Sequence, residues 1–228
     1  MQWLIECIYC DHKLYRLGDG MLKCSACKRK YSPKRINKIM MLIDYFCEDK
    51  NALQTSKQLK LSYVSIHKYY DIFRLLCANI CEIEYEHARE RPCEYEEYFY
   101  LEQSKRNDKL AVFDAHNFLT FDYENHIYTL VMPTLQRYKQ QFIDDNLENV
   151  YNSEFNKFKR KSRIIKVSKH LNKIVNFWEY FEKFILNYKG ISTENFPLYL
   201  KEAEFKFNHT LEAQKMLLQK HYFENQYE

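Results

Sequence analysis

The sequence predicts an α+β protein with a small cysteine-rich module, a helical module and a body in which strands precede helices. Two Cys-x-x-Cys pairs lie within the first 27 residues, and apolar residues then recur at helical spacing. Strand-like runs follow from residue 94, and amphipathic helices occupy the end of the chain. We therefore expect four segments, with an acidic linker as the third: 1–33, 34–81, 82–93 and 94–228.

The cysteine-rich module is built on Cys7, Cys10, Cys24 and Cys27. Two residues separate the cysteines of each pair, and thirteen residues separate the pairs. This spacing lets four thiolates meet around one ion, which is the closed tetrahedral arrangement of structural Zn²⁺. Paired disulfides would need an oxidising compartment, and the chain starts with no signal-peptide pattern. We therefore expect structural zinc in a cytoplasmic protein.

Positive charge is concentrated in the first part of the chain. Residues 1–81 carry fourteen Lys/Arg against seven Asp/Glu, whereas residues 82–103 carry two against eight. A basic patch attracts nucleic-acid phosphates by counterion release, although an ordinary solvated surface is the alternative. No apolar run is long enough for a membrane span, so we expect no membrane partner. The candidate DNA-contacting residues after the second cysteine pair are Lys28, Arg29, Lys30, Lys34 and Arg35.

The helical module has the pattern of a helix-turn-helix. A first helix is predicted over 35–48, and Asn51 can cap a short second helix. Lys60 and Leu61 make a turn before a long third helix, which is the order of elements in a helix-turn-helix. A plain helical spacer is the alternative. The predicted recognition positions lie near the start of the third helix: Ser62, Ser65, His67 and Lys68.

The sequence of the body, residues 94–228, predicts strands followed by helices. The strand-like runs end at Pro133, and a basic stretch with no acidic residue covers 157–169. The predicted strands are 94–101, 109–115, 117–122 and 126–132. The predicted helices are 134–143, 172–187, 196–207 and 211–221. The remaining cysteines lack metal-ligand spacing, and we expect buried free thiols at Cys77 and Cys81.

Two runs in the body carry a family resemblance. The first is Asn-Lys-Ile-Val-Asn-Phe-Trp-Glu-Tyr-Phe-Glu from Asn172, and the second is Tyr-Leu-Lys-Glu-Ala-Glu-Phe-Lys-Phe-Asn from Tyr199. They resemble the small bacterial insertion-sequence transposases of the ISXO-like group. Those proteins join a zinc ribbon and a helix-turn-helix to a ribonuclease H-like DDE domain, so the resemblance covers nearly the whole chain. It implies a ribonuclease H-like mixed sheet with C-terminal helices.

The resemblance also implies a catalytic site, from which this chain departs. DDE chemistry uses three carboxylates to hold two Mg²⁺ ions. In the family pattern Glu96 occupies the first position, Ser153 the second and Val175 the third. A valine cannot ligate a metal, so the substitutions argue against a Mg²⁺ pair.

The sequence thus predicts a transposase-family protein that binds DNA, including transposon-end repeats, and no longer catalyses strand transfer. The body would then serve as a scaffold or homodimerisation platform. One rival is an active transposase with a rewired carboxylate site. Another is a decaying gene product with no selected activity. The carboxylates available for rewiring are Glu96, Asp144 or Asp145, and Glu179 or Glu182.

Overall fold

The computed structural model describes residues 6–102, 111–134 and 173–224, with single positions 105, 136 and 139. The chain divides into two compact units: Met1–Ile80 with His209–Glu228, and Cys81–Asn208. The described residues form two three-stranded antiparallel sheets and six α-helices, which confirms the α+β class. Among these residues, no helix is long and apolar enough to cross a membrane.

The elements follow the predicted order. The strands are β1 (Leu14–Arg16), β2 (Leu22–Cys24), β3 (Lys30–Tyr31), β4 (Glu94–Tyr100), β5 (His116–Asp122) and β6 (Ile127–Val131). The helices are α1 (Pro33–Cys47), α2 (Ala52–Leu59), α3 (Tyr63–Ala88), α4 (Lys173–Ile185), α5 (Phe196–Asn208) and α6 (Leu211–Glu224).

Local sequence signals set the ends of the first helices. Pro33 begins α1, where its fixed φ suits a helix and its missing N–H costs nothing. Asn51 caps α2 as predicted: its Oδ1 accepts from the Gln54 backbone N–H at 2.9 Å, and the Gln54 Oε1 accepts from the Asn51 N–H at 2.9 Å. Lys60 ends α2 in the left-handed region, with φ 53°, and the turn 60–62 leads into α3.

Aromatic rings form much of the core of the first unit. Phe46 on α1 contacts Tyr70 and Phe73 on α3 with ring-centroid distances of 5.1 and 5.5 Å. Tyr222 on α6 contacts Phe73 at 5.8 Å, and Lys215 on α6 forms an ion pair with Asp44 at 3.2 Å. The sequence grouped α6 with the body after residue 94, but this helix packs in the first unit. Helical spacing shows that α6 buries one face, and it does not show against which partner.

The acidic segment 82–93 begins as helix rather than as an extended linker. Residues 82–88 are the last turns of α3, and β4 begins at Glu94. Tyr85 on α3 stacks on Tyr128 of β6 at 4.0 Å, and the Tyr128 hydroxyl donates to Glu82 at 3.1 Å. Glu84 also approaches His126 at 3.5 Å, so two of the acidic residues contact the sheet region, whereas Glu86 and Glu90 are exposed.

The second unit holds the sheet in the order β4-β5-β6. The strand predicted over 109–115 is wrong in its described part, because Ala111–Asp114 form a 3₁₀ turn. A short apolar run does not distinguish a strand from a helical turn, since either can bury a residue such as Phe113. The predicted helix 134–143 falls mostly outside the described residues, and the basic stretch 157–169 falls wholly outside them.

Helix α4 packs on one face of this sheet. The Trp178 indole Nε1 donates to the Thr120 Oγ1 on β5 at 2.9 Å, so its polar atom is satisfied inside the core. Phe181 contacts Phe118 of β5 at 5.7 Å. The first of the two family-like runs therefore forms a helix whose apolar residues face β4 and β5.

Helix α5 covers the edge strand β6. The Asn208 side chain accepts from the Ile127 backbone N–H at 3.0 Å and donates to the Ile127 carbonyl at 2.7 Å. The Glu204 Oε2 accepts from the Thr129 backbone N–H at 2.8 Å. These bonds satisfy backbone groups that β5 leaves unpaired, and an edge protected in this way cannot pair with another chain.

The charges of α5 are paired within the protein. Glu204 is fully buried, and burial raises the pKa of its carboxyl while Lys201, at 3.1 Å, opposes that rise. Glu202 and Lys206, one turn apart, form a second buried pair at 2.8 Å. Removing one partner of a buried pair leaves an uncompensated charge, so these positions tolerate few residue types.

We predict that His116 makes the second unit less stable in acid. Its ring stacks on Phe196 at 3.8 Å, and burial lowers its pKa to about 4. The unfolded chain takes up this proton near pH 6.5, so the free energy of unfolding falls between about pH 6.5 and pH 4, by at most about 1.4 kcal/mol per pH unit. Urea unfolding followed by Trp178 fluorescence, in a Trp3→Phe background, measures this slope.

The matched variants are His116→Phe, which should flatten the slope, and His87→Gln, which changes an exposed histidine and should not. A His116→Phe protein with the parental slope would contradict this assignment.

Candidate functional site

Each cysteine pair is shaped by a tight turn. In the first pair the Asp11 backbone N–H donates to the Cys7 carbonyl at 2.9 Å. The residue after each second cysteine adopts a left-handed conformation: φ is 57° at Asp11 and 61° at Lys28. The two turns thus share the same backbone path, which aims both thiols of a pair at one point.

The four sulfur atoms meet in one cluster. All four Sγ atoms lie within 4.8 Å of one another, with 3.8 Å between Cys7 and Cys27 and 3.5 Å between Cys10 and Cys24. Tetrahedral Zn²⁺ with Zn–S bonds of about 2.3 Å requires sulfurs about 3.8 Å apart. A disulfide requires about 2.05 Å, and all four thiols are free. The cluster therefore fits a metal ion such as zinc.

The protein environment shifts the pKa values of the thiols in different directions. Burial raises the pKa of Cys7 to about 12, whereas a hydrogen bond from the His12 backbone N–H lowers the pKa of Cys10 to about 6. Four thiolates this close repel one another unless a cation lies between them. A bound Zn²⁺ would deprotonate the thiols and supply folding energy to the cysteine-rich module. We call the described part of this module, which holds the two cysteine turns and strands β1, β2 and β3, the ribbon.

The described residues place a small group of apolar side chains around the cluster. Leu14, Leu22 and Tyr31 are buried on the inner side of the ribbon. Tyr9, between the cysteines of the first pair, contacts Tyr31 at 5.9 Å and lies under the Arg29 guanidinium at 4.6 Å. This supporting role of Tyr9 was not predicted from the sequence, where its signal is an aromatic residue inside the Cys-Ile-Tyr-Cys turn.

The basic residues after the second pair reach solvent. Lys28, Lys30, Lys34 and Arg35 are exposed. Arg29 is half-buried because its guanidinium stacks on Tyr9. Four of the five predicted DNA-contacting residues in this segment thus present their charge to solvent, and the fifth also supports the ribbon.

The predicted recognition positions lie at the start of α3. Ser62 and Lys68 are exposed, whereas Ser65 and His67 are half-buried. The His67 Nδ1 lies 2.8 Å from the Asp71 Oδ2, which fixes the ring one turn before that carboxylate. The exposed residues at the start of α3 are therefore the polar Ser62 and Lys68 together with Tyr63 and Val64.

Helix α4 and strand β4 run in the same direction where they touch. Tyr98 contacts Trp178 at 4.8 Å, and further along both elements Tyr100 contacts Phe181 at 5.5 Å. A step of two residues along β4 therefore accompanies a step of three residues along α4 in this contact.

The contacts around Glu96 involve Trp178 of α4: Glu96 pairs in register with Thr120, whose Oγ1 accepts the hydrogen bond of the Trp178 indole. Glu96 lies two residues before Tyr98 on the same face of β4, and Val175 lies one turn before Trp178. Glu96 is half-buried and Val175 is 7% exposed. Val175, which the family pattern assigns to the third position, is thus a buried apolar residue.

The other carboxylates are distributed differently. Glu182 accepts a hydrogen bond from the Tyr98 hydroxyl at 2.6 Å, and Glu179 is exposed. Ser153, Asp144 and Asp145 lie outside the described residues. In the part of the chain that the structure describes, the four cysteines are the one group of three or more potential ligands within a metal's reach.

The geometry defines an α+β protein with a cluster of four thiols that can hold a metal ion. Over 60 residues the chain is 35% identical to a protein of Haemophilus influenzae described as an uncharacterized transposase-like protein. The match covers 25% of this chain and 49% of that protein, so the chain spans about half the length of the relative. No protein-family model and no solved structure matches the chain significantly. The similarity supports a transposase family.

We predict that the four cysteines bind about one Zn²⁺ per chain. Cys24→Ser should lose this zinc and lower the melting temperature, because the ribbon then lacks a ligand and most of its folding energy. Zinc content by atomic emission and thermal unfolding measure both effects. Cys93→Ser changes an exposed cysteine and should keep both values. A Cys24→Ser protein that retains its full zinc content would contradict the site.

Proposed function

We propose that this chain is a DNA-binding protein of the transposase family that has lost strand-transfer chemistry. The observation that carries the proposal is the four-thiol cluster followed directly by exposed basic residues. Lys28, Lys30, Lys34 and Arg35 all lie within eight residues of Cys27 and reach solvent. Small zinc modules with adjacent positive charge bind phosphates through counterion release.

Helices α1, α2 and α3 supply the second contact with DNA that we propose. Helix α2 and helix α3 are joined by three residues, and the buried Thr55 and Tyr70 hydroxyls, 2.7 Å apart, tie the two helices together. A short helix fixed to a longer one in this way matches a helix-turn-helix, in which the start of the second helix enters the major groove. We assign Ser62, Ser65, His67 and Lys68 to this contact.

The proposed loss of catalysis rests on the residues that stand at the three positions of the family pattern. A two-metal site needs carboxylates that converge, and the aligned α4 position is the buried Val175. Glu182, two turns later, is engaged with the Tyr98 hydroxyl. In this proposal Zn²⁺ has a structural role, and the ribonuclease H-like body is a scaffold or homodimerisation platform with no Mg²⁺ pair.

The second candidate is an active transposase with a rewired site. Glu96 is favoured as a surviving ligand because its side chain is half-buried on the same face of β4 as Tyr98. Glu182 lies on the facing helix, so two carboxylates occupy the same side of the sheet. This candidate requires a third ligand from Asp144 or Asp145, and a divalent metal to draw Glu182 away from Tyr98.

We predict that the zinc-loaded protein retards duplex DNA carrying the transposon-end repeats in a gel shift at low salt. Lys68→Ala should weaken this binding about tenfold, or about 1.4 kcal/mol, because one contact from α3 is lost. Lys220→Ala removes an exposed lysine of α6 and should leave binding unchanged. Absence of binding by the zinc-loaded parent protein would contradict the proposed function.

We predict that the same protein does not cleave the repeat DNA with Mg²⁺ or Mn²⁺, and that Glu96→Gln binds DNA as the parent does. Strand cleavage on a sequencing gel is the measurement. Cleavage that Glu96→Gln abolishes, and that Glu97→Gln retains, would favour the rewired enzyme instead. Glu97 is the matched control because it follows Glu96 on β4 and faces the other way, towards the Asn117 amide at 2.6 Å.

A further inference from the structure

The outer face of the ribbon carries Tyr15, Lys23 and Lys30 in one row. The register of β1 and β2 pairs Tyr15 with Lys23, and that of β2 and β3 pairs Lys23 with Lys30. Side chains alternate along a strand, so this row points away from the buried neighbours Leu22 and Cys24. Tyr15 is 44% exposed, Lys30 is exposed and Lys23 is half-buried. The row is therefore a surface that a partner can reach.

The row is electrostatically unfavourable in the free protein. Like charges directly opposite on an antiparallel pair destabilise a sheet, and Lys23 faces Lys30 in this way. Within the described residues, neither lysine forms an ion pair with an acidic side chain. The acid at the tip of the hairpin, Asp19, instead accepts a hydrogen bond from the Met21 backbone N–H at 2.9 Å. An anion bound at the row would relieve the repulsion between the lysines.

We propose that this row holds the sugar–phosphate backbone of duplex DNA. Lys23 and Lys30 each neutralise a phosphate, and the Tyr15 hydroxyl donates a hydrogen bond to a phosphate oxygen beside them. This inference rests on the proposed DNA binding and deepens it, because it assigns a surface that is separate from α3. Contacts of this kind position a protein on DNA and carry no sequence information.

Duplex DNA fits the row better than a single strand does. Proteins that bind single strands stack successive bases on several exposed aromatic rings. This row has one ring, and Tyr9 and Tyr31 of the same ribbon are engaged with each other at 5.9 Å. A surface with two cations and one hydroxyl donor suits a continuous phosphate backbone.

The test is the salt dependence of binding by the full zinc-loaded chain. The affinity for a duplex of unrelated sequence is measured from low to moderate salt by fluorescence anisotropy. The double variant Lys23→Gln, Lys30→Gln should reduce the slope of log affinity against log salt by about 1.8, at about 0.9 per phosphate contact. It should also bind at least about tenfold more weakly at low salt, for any sequence.

Matched variants separate charge from folding. Lys183→Gln with Lys220→Gln removes two exposed lysines elsewhere and should keep the parental slope. Lys23→Arg with Lys30→Arg keeps both charges and should restore the slope. Tyr15→Phe should weaken binding about threefold to tenfold without changing the slope, because it removes a hydroxyl and no charge. Zinc content is measured for each variant, and the single Lys23→Gln, with a slope loss of about 0.9, serves if the double variant does not load zinc.

The outcomes separate this inference from the function on which it rests. If the parent protein binds duplex DNA and the Gln variants keep its slope, the row is not a phosphate site and the proposed function stands. If the Gln variants lose affinity for single strands alone, the duplex assignment is overturned. If the parent binds no DNA at any salt concentration, the proposed function fails together with the inference.

Discussion

The ribbon depends on the convergence of four thiols. Its strands are two or three residues long, and among its described residues the buried side chains besides the cysteines are Leu14, Leu22 and Tyr31, a small core that a metal ion would reinforce. Four sulfurs within 4.8 Å supply a site that one metal ion can cross-link. The position of the neighbouring basic residues follows, because Lys28 and Arg29 come directly after the last ligand. A function that uses this positive surface therefore depends on the metal centre.

The second unit depends on a different constraint, which is the protection of its edge strand. Glu204 and Asn208 provide side-chain partners for backbone groups of β6, and Lys201 compensates the buried Glu204 charge. These contacts explain, without reference to catalysis, why the fold needs the residues of the second family-like run. Such a run can persist in a chain whose catalytic positions have changed, because the fold still needs it. The proposed loss of strand transfer requires a body that keeps this packing while Val175 stands where the family pattern has a metal ligand.

Some elements could be predicted well because their signals are local. The Asn51 cap, the Pro33 helix start and the strands β4, β5 and β6 all follow from residue types and spacing within a few positions. The strand predicted over 109–115 failed because its apolar run had no alternation to decide its period. The packing of α6 in the first unit also escaped prediction, since the aromatic contact of Tyr222 with Phe73 joins distant parts of the chain.

The sequence by itself determined the metal ligands, since two Cys-x-x-Cys turns leave each pair of thiols little choice of direction. It also determined the α+β class and the order of the elements, because periodicity is a local property. The tertiary structure decided which residues share a surface. Register alone brings Lys23 opposite Lys30, and the packing of α4 on the sheet brings Trp178 to Tyr98 and Thr120. These relationships are made by strand pairing and side-chain packing between segments, which no local pattern specifies.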